Sequence, residues 1–337
     1  MSSSCIAPVS RGCGVSDRPD EVSGGSQMSS RSGVDGGGVP ARRQMLATDL
    51  DGTLLGSDAT VSVRTLAALE RARVEDLTIT LVTGRPPRWL SPIVHQTGWH
   101  GLAVAANGAV LIDLSTKTVE QTFPIPGDSL REAVRVIRAL LPGSAFAVEY
   151  VRAGSAVPLV DPLASSPDSG HSDEPPAFGY EAGFRPHLLT LPPELQTRSV
   201  VELIAPGDVV KLLARGPQDH PAHPDTVAQQ VAEELTGIIT VTHSTSGSVL
   251  LEMSKAGVSK ASGLEWLAAE HHIDQIDVVA VGDMPNDLPM LAWAGQGFGV
   301  TNAHQLVLDS VGPDRVLPSN VDDGVAHLIE RLLAQRN

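Results

Sequence analysis

Aromatic side chains are scarce: two tyrosines, four tryptophans and five phenylalanines make up 3% of 337 residues. That argues against the stacking platforms on which single-stranded nucleic acids are bound. Basic residues are also in deficit, 24 Lys and Arg against 39 Asp and Glu, and the resulting net charge of −15 repels nucleic acid and anionic lipid alike. Neither partner is expected. The two cysteines, Cys5 and Cys13, both lie near the start of the chain. A disulfide framework or a cysteine-based zinc site is thereby excluded from the rest of it. No apolar run approaches the ~18 residues of a membrane span, and no apolar stretch follows a basic start as in a secretory signal. Cytoplasmic residence is the default expectation. Oligomeric state is not legible in the sequence.

What is present is ordinary for a globular protein, with 42% hydrophobic and 19% charged residues. The length suffices for two domains with their own cores. Residues 1–42, rich in Ser, Gly, Arg and Asp, lack the apolar periodicity needed to offset conformational entropy and read as a disordered tail. A partner-binding tail is the alternative. From Gln44 to Leu50 the chain reads as a buried strand, then come a helix over Val63 to Val74 and a second strand over Leu77 to Val82. A third strand, near Leu102 to Ala106, leads into the Asn107-Gly108 turn. Strands alternating with helices predict a parallel, doubly wound α/β sheet.

The pattern changes after residue 123. Helical stripes at Leu130, Val134, Ile137 and Leu141 and at Val227, Val231 and Leu235 alternate with strand-like runs, among them Val201 to Ile204 and Val209 to Leu213. A Pro/Ser-rich loop, roughly Ala153 to Pro186, is too long for a plain connection. The α/β pattern returns near Gly257 and runs through the strand Val278 to Val281 to a closing helix at Val325 to Leu333. The expected organisation is a tail (1–42), an α/β core in two pieces (43–123 and 254–337) and an inserted α+β cap (124–253).

Four short motifs fall at strand or helix ends. Asp49-Leu50-Asp51-Gly52-Thr53 lies at the C-terminal end of the first strand, at the sheet edge where open α/β folds bind ligands. On an extended strand the two carboxylates face one side. A calcium loop does not fit, because its sixth position is Leu54 and its twelfth is Thr60. A polar strand end with a turn remains the plain alternative. Gly282-Asp283-Met284-Pro285-Asn286-Asp287 supplies carboxylates at another strand end, and an all-oxygen set of this kind suits Mg²⁺. Thr83-Gly84-Arg85 precedes a helix, where a hydroxyl and free backbone N–H groups can hold phosphate oxygens or merely cap the helix. Lys260, at a helix start, is either the cation such a site needs or a solvated surface charge.

Taken in order, Asp-x-Asp-Gly-Thr-Leu, Thr-Gly-Arg, Gly-Val-Ser-Lys and Gly-Asp-x-x-Asn-Asp resemble the haloacid dehalogenase superfamily, and more narrowly the Cof-type hydrolases. Asn107-Gly108-Ala109, Asn302-Ala303 and Asp323-Gly324-Val325 extend the resemblance. It implies a Mg²⁺-dependent phosphatase for small phosphorylated metabolites, sugar phosphates and similar monoesters among them. Asp49 would be the nucleophile that forms an aspartyl-phosphate, and Asp51 the acid and then the base. The metal would be held by Asp49, the Asp51 carbonyl and Asp283, with Asn286 and Asp287 in support. Thr83, Gly84, Lys260 and Asn107 would contact the substrate. Two rivals stand beside this reading, a phosphomutase of the phosphomannomutase kind and an idle regulatory protein on the same fold.

The Pro/Ser-rich insertion is longer than the resemblance leads one to expect, and Tyr180, Arg185 and His187 within it either read the leaving group or, on the plainer reading, lie in surface loops. Lys211, set in Val-Val-Lys-Leu-Leu, reads as a residue of a cap strand and not as the phosphate lysine.

Overall fold

Met45–Thr48 forms the first strand, β1, with every side chain buried. The computed structural model describes residues 44–157, 177–184, 199–217, 220–243 and 249–336. After β1 come α1 (Val63–Val74), β2 (Thr78–Val82), α2 (Ser91–Thr97), β3 (Leu102–Ala105), β4 (Val110–Asp113) and β5 (Thr118–Thr122). A second group follows: α3 (Gly127–Leu140), β6 (Ala145–Tyr150), β7 (Phe178–Tyr180), α4 (Val200–Ile204), β8 (Val209–Arg215), α5 (Pro224–Glu234), β9 (Ile239–Thr242) and β10 (Leu250–Lys255). The last group is α6 (Lys260–Glu270), β11 (Val278–Gly282), α7 (Leu288–Trp293), β12 (Gln296–Val300), α8 (Gln305–Val311), β13 (Val316–Leu317) and α9 (Gly324–Ala334).

The first and last groups share one sheet in the order β13-β12-β11-β1-β2-β3-β4-β5, parallel except for the β3-β4-β5 end. Side chains along β1 alternate between its two faces. Met45 and Ala47 pack with Leu264, Leu267 and Met290 of α6 and α7. Leu46 packs on the other side with Leu69 of α1 and Leu328 and Leu332 of α9. Helices on both faces explain why the strands are apolar throughout. Because β1 lies between β2 and the much later β11, the strand order reverses there. A crevice at the C-terminal end of β1 follows from that reversal.

The middle group forms an antiparallel sheet, β7-β6-β8-β10-β9. Helices α3, α4 and α5 cover the face that carries Phe146, Val148, Leu212 and Met253. Its opposite face carries Ala145, Ala147, Phe178 and Tyr180. By register it also carries Glu149 opposite Lys211, and Glu252 opposite Thr242. The architecture is the predicted α/β core with an inserted α+β unit.

Some local expectations are corrected. β1 stops at Thr48, because the N–H groups of Thr53, Leu54 and Leu55 all turn back to the Leu50 carbonyl. Val201 to Ile204 is helical: Ser199 and Glu202 form a reciprocal capping box, which outweighs the β-branched run. Tyr180 is a buried residue of β7 and not part of a surface loop. Residues 1–42, Arg185, His187 and residues 158–176 of the insertion lie outside the described residues. Among those described, no helix is long and apolar enough to cross a membrane.

Candidate active site

The end of β1 delivers Asp49 into the crevice, where its backbone N–H still donates to Val281 of β11 at 3.0 Å. Lys260 opens α6, whose N-terminus is capped by Ser259. Its side chain is only 1% exposed, and its ammonium lies 2.6 Å from Asp49 Oδ1 and 2.5 Å from Asp287 Oδ1. A lysine this deeply buried requires such partners. Asp287 spends its other oxygen, Oδ2, on the backbone N–H groups of Asp283 and Met284, each at 3.0 Å. It therefore acts as a brace for Lys260 and for the loop after β11.

Asp283 directly follows β11 and accepts a hydrogen bond from the Thr53 hydroxyl at 2.8 Å. Gly52 makes that approach possible. Its φ is +81°, and a Cβ there would stand 2.3 Å from Asp283 Oδ2. The Asn302 amide steadies the same turn by donating to the Gly52 carbonyl at 2.8 Å.

Asp49, Asp283 and Asp287 offer carboxylate oxygens within 4.8 Å of one another. Burial pushes the Asp49 carboxyl well above its ordinary range; Lys260 opposes this, and Asp287 and Asp283 add to it. Burial, then Asp287, pushes Asp283 up to about 6. Burial by itself lowers Lys260, yet Asp287 and Asp49 hold it above its usual value. Three buried carboxylates facing one ammonium leave excess negative charge, which a hard cation with oxygen ligands neutralises. With Asp287 committed on both oxygens, Asp49 and Asp283 are the side chains best placed to hold such an ion.

Asp51, the other carboxylate of the first motif, is separated from Asp49 by environment. Its side chain is 58% exposed and is gripped by Arg85, the last residue of the Thr-Gly-Arg motif, for which the sequence predicts no role. Thr83 is buried, and its hydroxyl accepts from the Arg85 N–H at 3.0 Å. The Gly84 carbonyl accepts from Lys211 of β8 at 2.7 Å. Asn107 adjoins Gly84, with both ends of its amide engaged: Nδ2 donates to Glu252 at 2.7 Å and Oδ1 accepts from Asn286 at 3.1 Å. All nine residues singled out from the sequence thus belong to one connected region at the β1 crevice. Arg85, Lys211 and Glu252 join them without having been assigned to it. The only sequence signal for the last two was a charge inside an apolar strand.

The pattern of the haloacid dehalogenase-like hydrolases matches residues 46–148 and 202–329. Phosphatase YwpJ of Bacillus subtilis (strain 168) is 27% identical over 307 residues, covering 86% of this chain and 100% of the relative. Pyridoxal phosphate phosphatase YbhA of Escherichia coli (strain K12) is 26% identical over 292 residues, covering 85% and 97%. Among solved structures, a phosphatase of the haloalkanoate (HAD) superfamily from Bacteroides thetaiotaomicron shares the fold, with a TM-score of 0.64, 22% identity, and coverage of 88% of this chain and 98% of that one.

Proposed function

From the premise that this chain belongs to the haloacid dehalogenase-like hydrolases and hydrolyses phosphoric monoesters of small molecules, we propose that it does so through an aspartyl-phosphate on Asp49, with Mg²⁺ as the cofactor. One observation carries the proposal: Asp49 is buried at the strand-order reversal, 2.6 Å from the Lys260 ammonium. Burial makes the carboxylate a poorly solvated nucleophile, while Lys260 favours its ionised form and lessens its repulsion of an anionic substrate.

In the first step an Asp49 oxygen bonds to phosphorus as the ester P–O bond breaks, and Asp51 gives its proton to the departing alkoxide. In the second, Asp51 takes a proton from water, the water oxygen bonds to phosphorus, and Asp49 leaves as a carboxylate with inorganic phosphate as product. The exposure of Asp51 suits a group that must meet both alcohol and water. Thr83, the Gly84 backbone and Lys260 hold the phosphoryl oxygens, and Asn107 walls the site beside them. Asp49, Asp283 and the Asp51 carbonyl are the groups that would hold Mg²⁺, whose charge offsets that of the phosphoryl group. Asn286 and Asp287 support that loop.

The inserted unit lies over this crevice, and sugar phosphates and related small monoesters are the favoured substrates. Phosphate release across a panel of phosphorylated metabolites tests the activity. Acid-stable labelling of the protein by ³²P-substrate, absent in Asp49→Asn, tests the intermediate. Release that persists in Asp49→Asn would refute the nucleophile.

A further inference from the structure

Three charged side chains, Glu149, Lys211 and Glu252, are buried on the helix-free face of the second sheet. Lys211 lies 2.8 Å from Glu252. Its ammonium also leaves the sheet, donating to the Gly84 carbonyl at 2.7 Å. Glu252 accepts from Asn107, and Asn107 accepts from Asn286. Gly84, Lys211, Glu252, Asn107 and Asn286 therefore form a continuous polar chain. It joins the Thr83-Gly84 loop to the loop that carries Asp283 and Asp287, and its middle runs through the inserted unit.

Packing alone does not account for Lys211. A buried ion pair is typically matched or bettered by apolar residues of similar volume. What an apolar residue lacks is a donor for the Gly84 carbonyl. That carbonyl and the Arg85 N–H belong to one peptide group, and the N–H donates to the Thr83 hydroxyl at 3.0 Å. Lys211 and Thr83 thus fix the same peptide plane from opposite sides. Orienting a peptide beside a phosphoryl group sets which dipoles face the anion.

We propose that Lys211 is a positioning residue for phosphoryl binding, through which the inserted unit completes the phosphate loop. This rests on the reading of Thr83 and Gly84 as that loop. It separates Lys211 from a specificity determinant, because the phosphoryl group is common to all substrates. The loop is fully formed only while the second sheet is seated on the parallel one.

The test uses full-length protein with nitrophenyl phosphate, a sugar phosphate, and inorganic phosphate as product inhibitor. Lys211→Met should raise KM for both esters and Ki for phosphate by a similar factor of about ten or more, the worth of one charge-assisted hydrogen bond. The change in kcat should be smaller. Lys211→Arg should recover part of the loss. Since Lys211→Met leaves Glu252 without its ammonium partner, Lys211→Met/Glu252→Gln serves as the second variant, and the same parallel rise is expected. A rise confined to one ester would make Lys211 a leaving-group contact, and unchanged KM and Ki in a cooperatively melting variant would make it structural; either result overturns the proposal. Wild-type protein inert toward both esters and phosphate would overturn the functional reading itself, and this one with it.

Discussion

Arg85 holds Asp51 at two points, with Nε 2.7 Å from Oδ2 and Nη2 2.5 Å from Oδ1. The fork geometry fixes the carboxylate plane, which a lysine in the same place does not do. The residue proposed to move protons is therefore aimed by its neighbour in the next motif, despite its exposure.

Arg85→Lys should accordingly impair the proton-transfer role more than substrate binding. General acid–base assistance is typically ~10²–10⁴-fold, and a misaimed acid should forfeit about tenfold or more of it. In single turnovers, alcohol release from a sugar phosphate should slow by that factor, while nitrophenolate, which leaves without a proton, should be released nearly as fast as from wild type. Equal slowing of both would show that Arg85 serves binding or packing.

The first motif illustrates what the sequence makes legible. Asp49, Thr83, Lys260 and Asp283 sit at the ends of apolar strands or at a capped helix start, so their convergence follows from the α/β pattern. Which aspartate is buried does not. Spacing on an extended strand puts both on one side, but the chain leaves the strand at Thr48 and turns at Gly52, burying Asp49 and exposing Asp51. The partners of Arg85, Arg88 and Lys211 lie 34, 61 and 127 residues away. For the last two, pairing depends on how the inserted sheet seats itself, and local periodicity carries no trace of that. A lysine in Val-Val-Lys-Leu-Leu reads the same whether it meets water or a carbonyl.

Gly52→Ala should damage the site out of proportion to its effect on stability. The added Cβ would stand 2.3 Å from Asp283 Oδ2, at a φ of +81° that disfavours any side chain. Backbone strain of this kind costs about 1–3 kcal/mol. Displacing Asp283 should further weaken Mg²⁺ activation by about tenfold or more. Titration of activity with Mg²⁺, beside a thermal melt, checks both. A variant with lowered Tm but normal Mg²⁺ dependence would show that the Gly52–Asp283 contact is only steric.

Arg88 and Glu149 form a second link between the two sheets, at 2.6 and 3.0 Å. The guanidinium also lies 4.7 Å from the Trp89 ring centroid and 4.5 Å from that of Phe178. Burial raises the Glu149 carboxyl even with Arg88 opposing it. Arg88→Met should therefore destabilise the protein by roughly 3 kcal/mol at neutral pH, the cost of stranding a buried charge. Arg88→Met/Glu149→Leu should recover most of that loss. Denaturant melts of wild type, Arg88→Met, Glu149→Leu and the double variant give the coupling directly. A double variant no better than Arg88→Met would mean that the ring contacts of Arg88, and not its charge partner, supply the stability.

The raised carboxyl of Asp283 gives the metal site a pH signature. Its ordinary value is ~4, and burial, then Asp287, pushes it up to about 6 in the folded protein. Between those values the folded state keeps a proton that the unfolded state has released. Metal-free protein should therefore lose stability from this group as pH rises through the window, by roughly 3 kcal/mol at most, and level off above it. Asp49, raised chiefly by burial, contributes with the same sign. Surface carboxylates held low by hydrogen bonds, such as Glu70 beside Arg73 and Glu132 beside Arg135, contribute with the opposite sign. The informative quantity is therefore the difference between wild type and Asp283→Asn, measured in chelator from about pH 4.5 to 7.5. Asp283→Asn should gain stability relative to wild type as pH rises toward 6. Mg²⁺ should reverse the trend, because it binds the ionised ligands and releases their protons. Its stabilisation of wild type should grow with pH up to about 6 and be lost in Asp283→Asn. Parallel pH profiles for the two proteins, with Mg²⁺ and without, would show that Asp283 neither carries a buried charge penalty nor serves the ion.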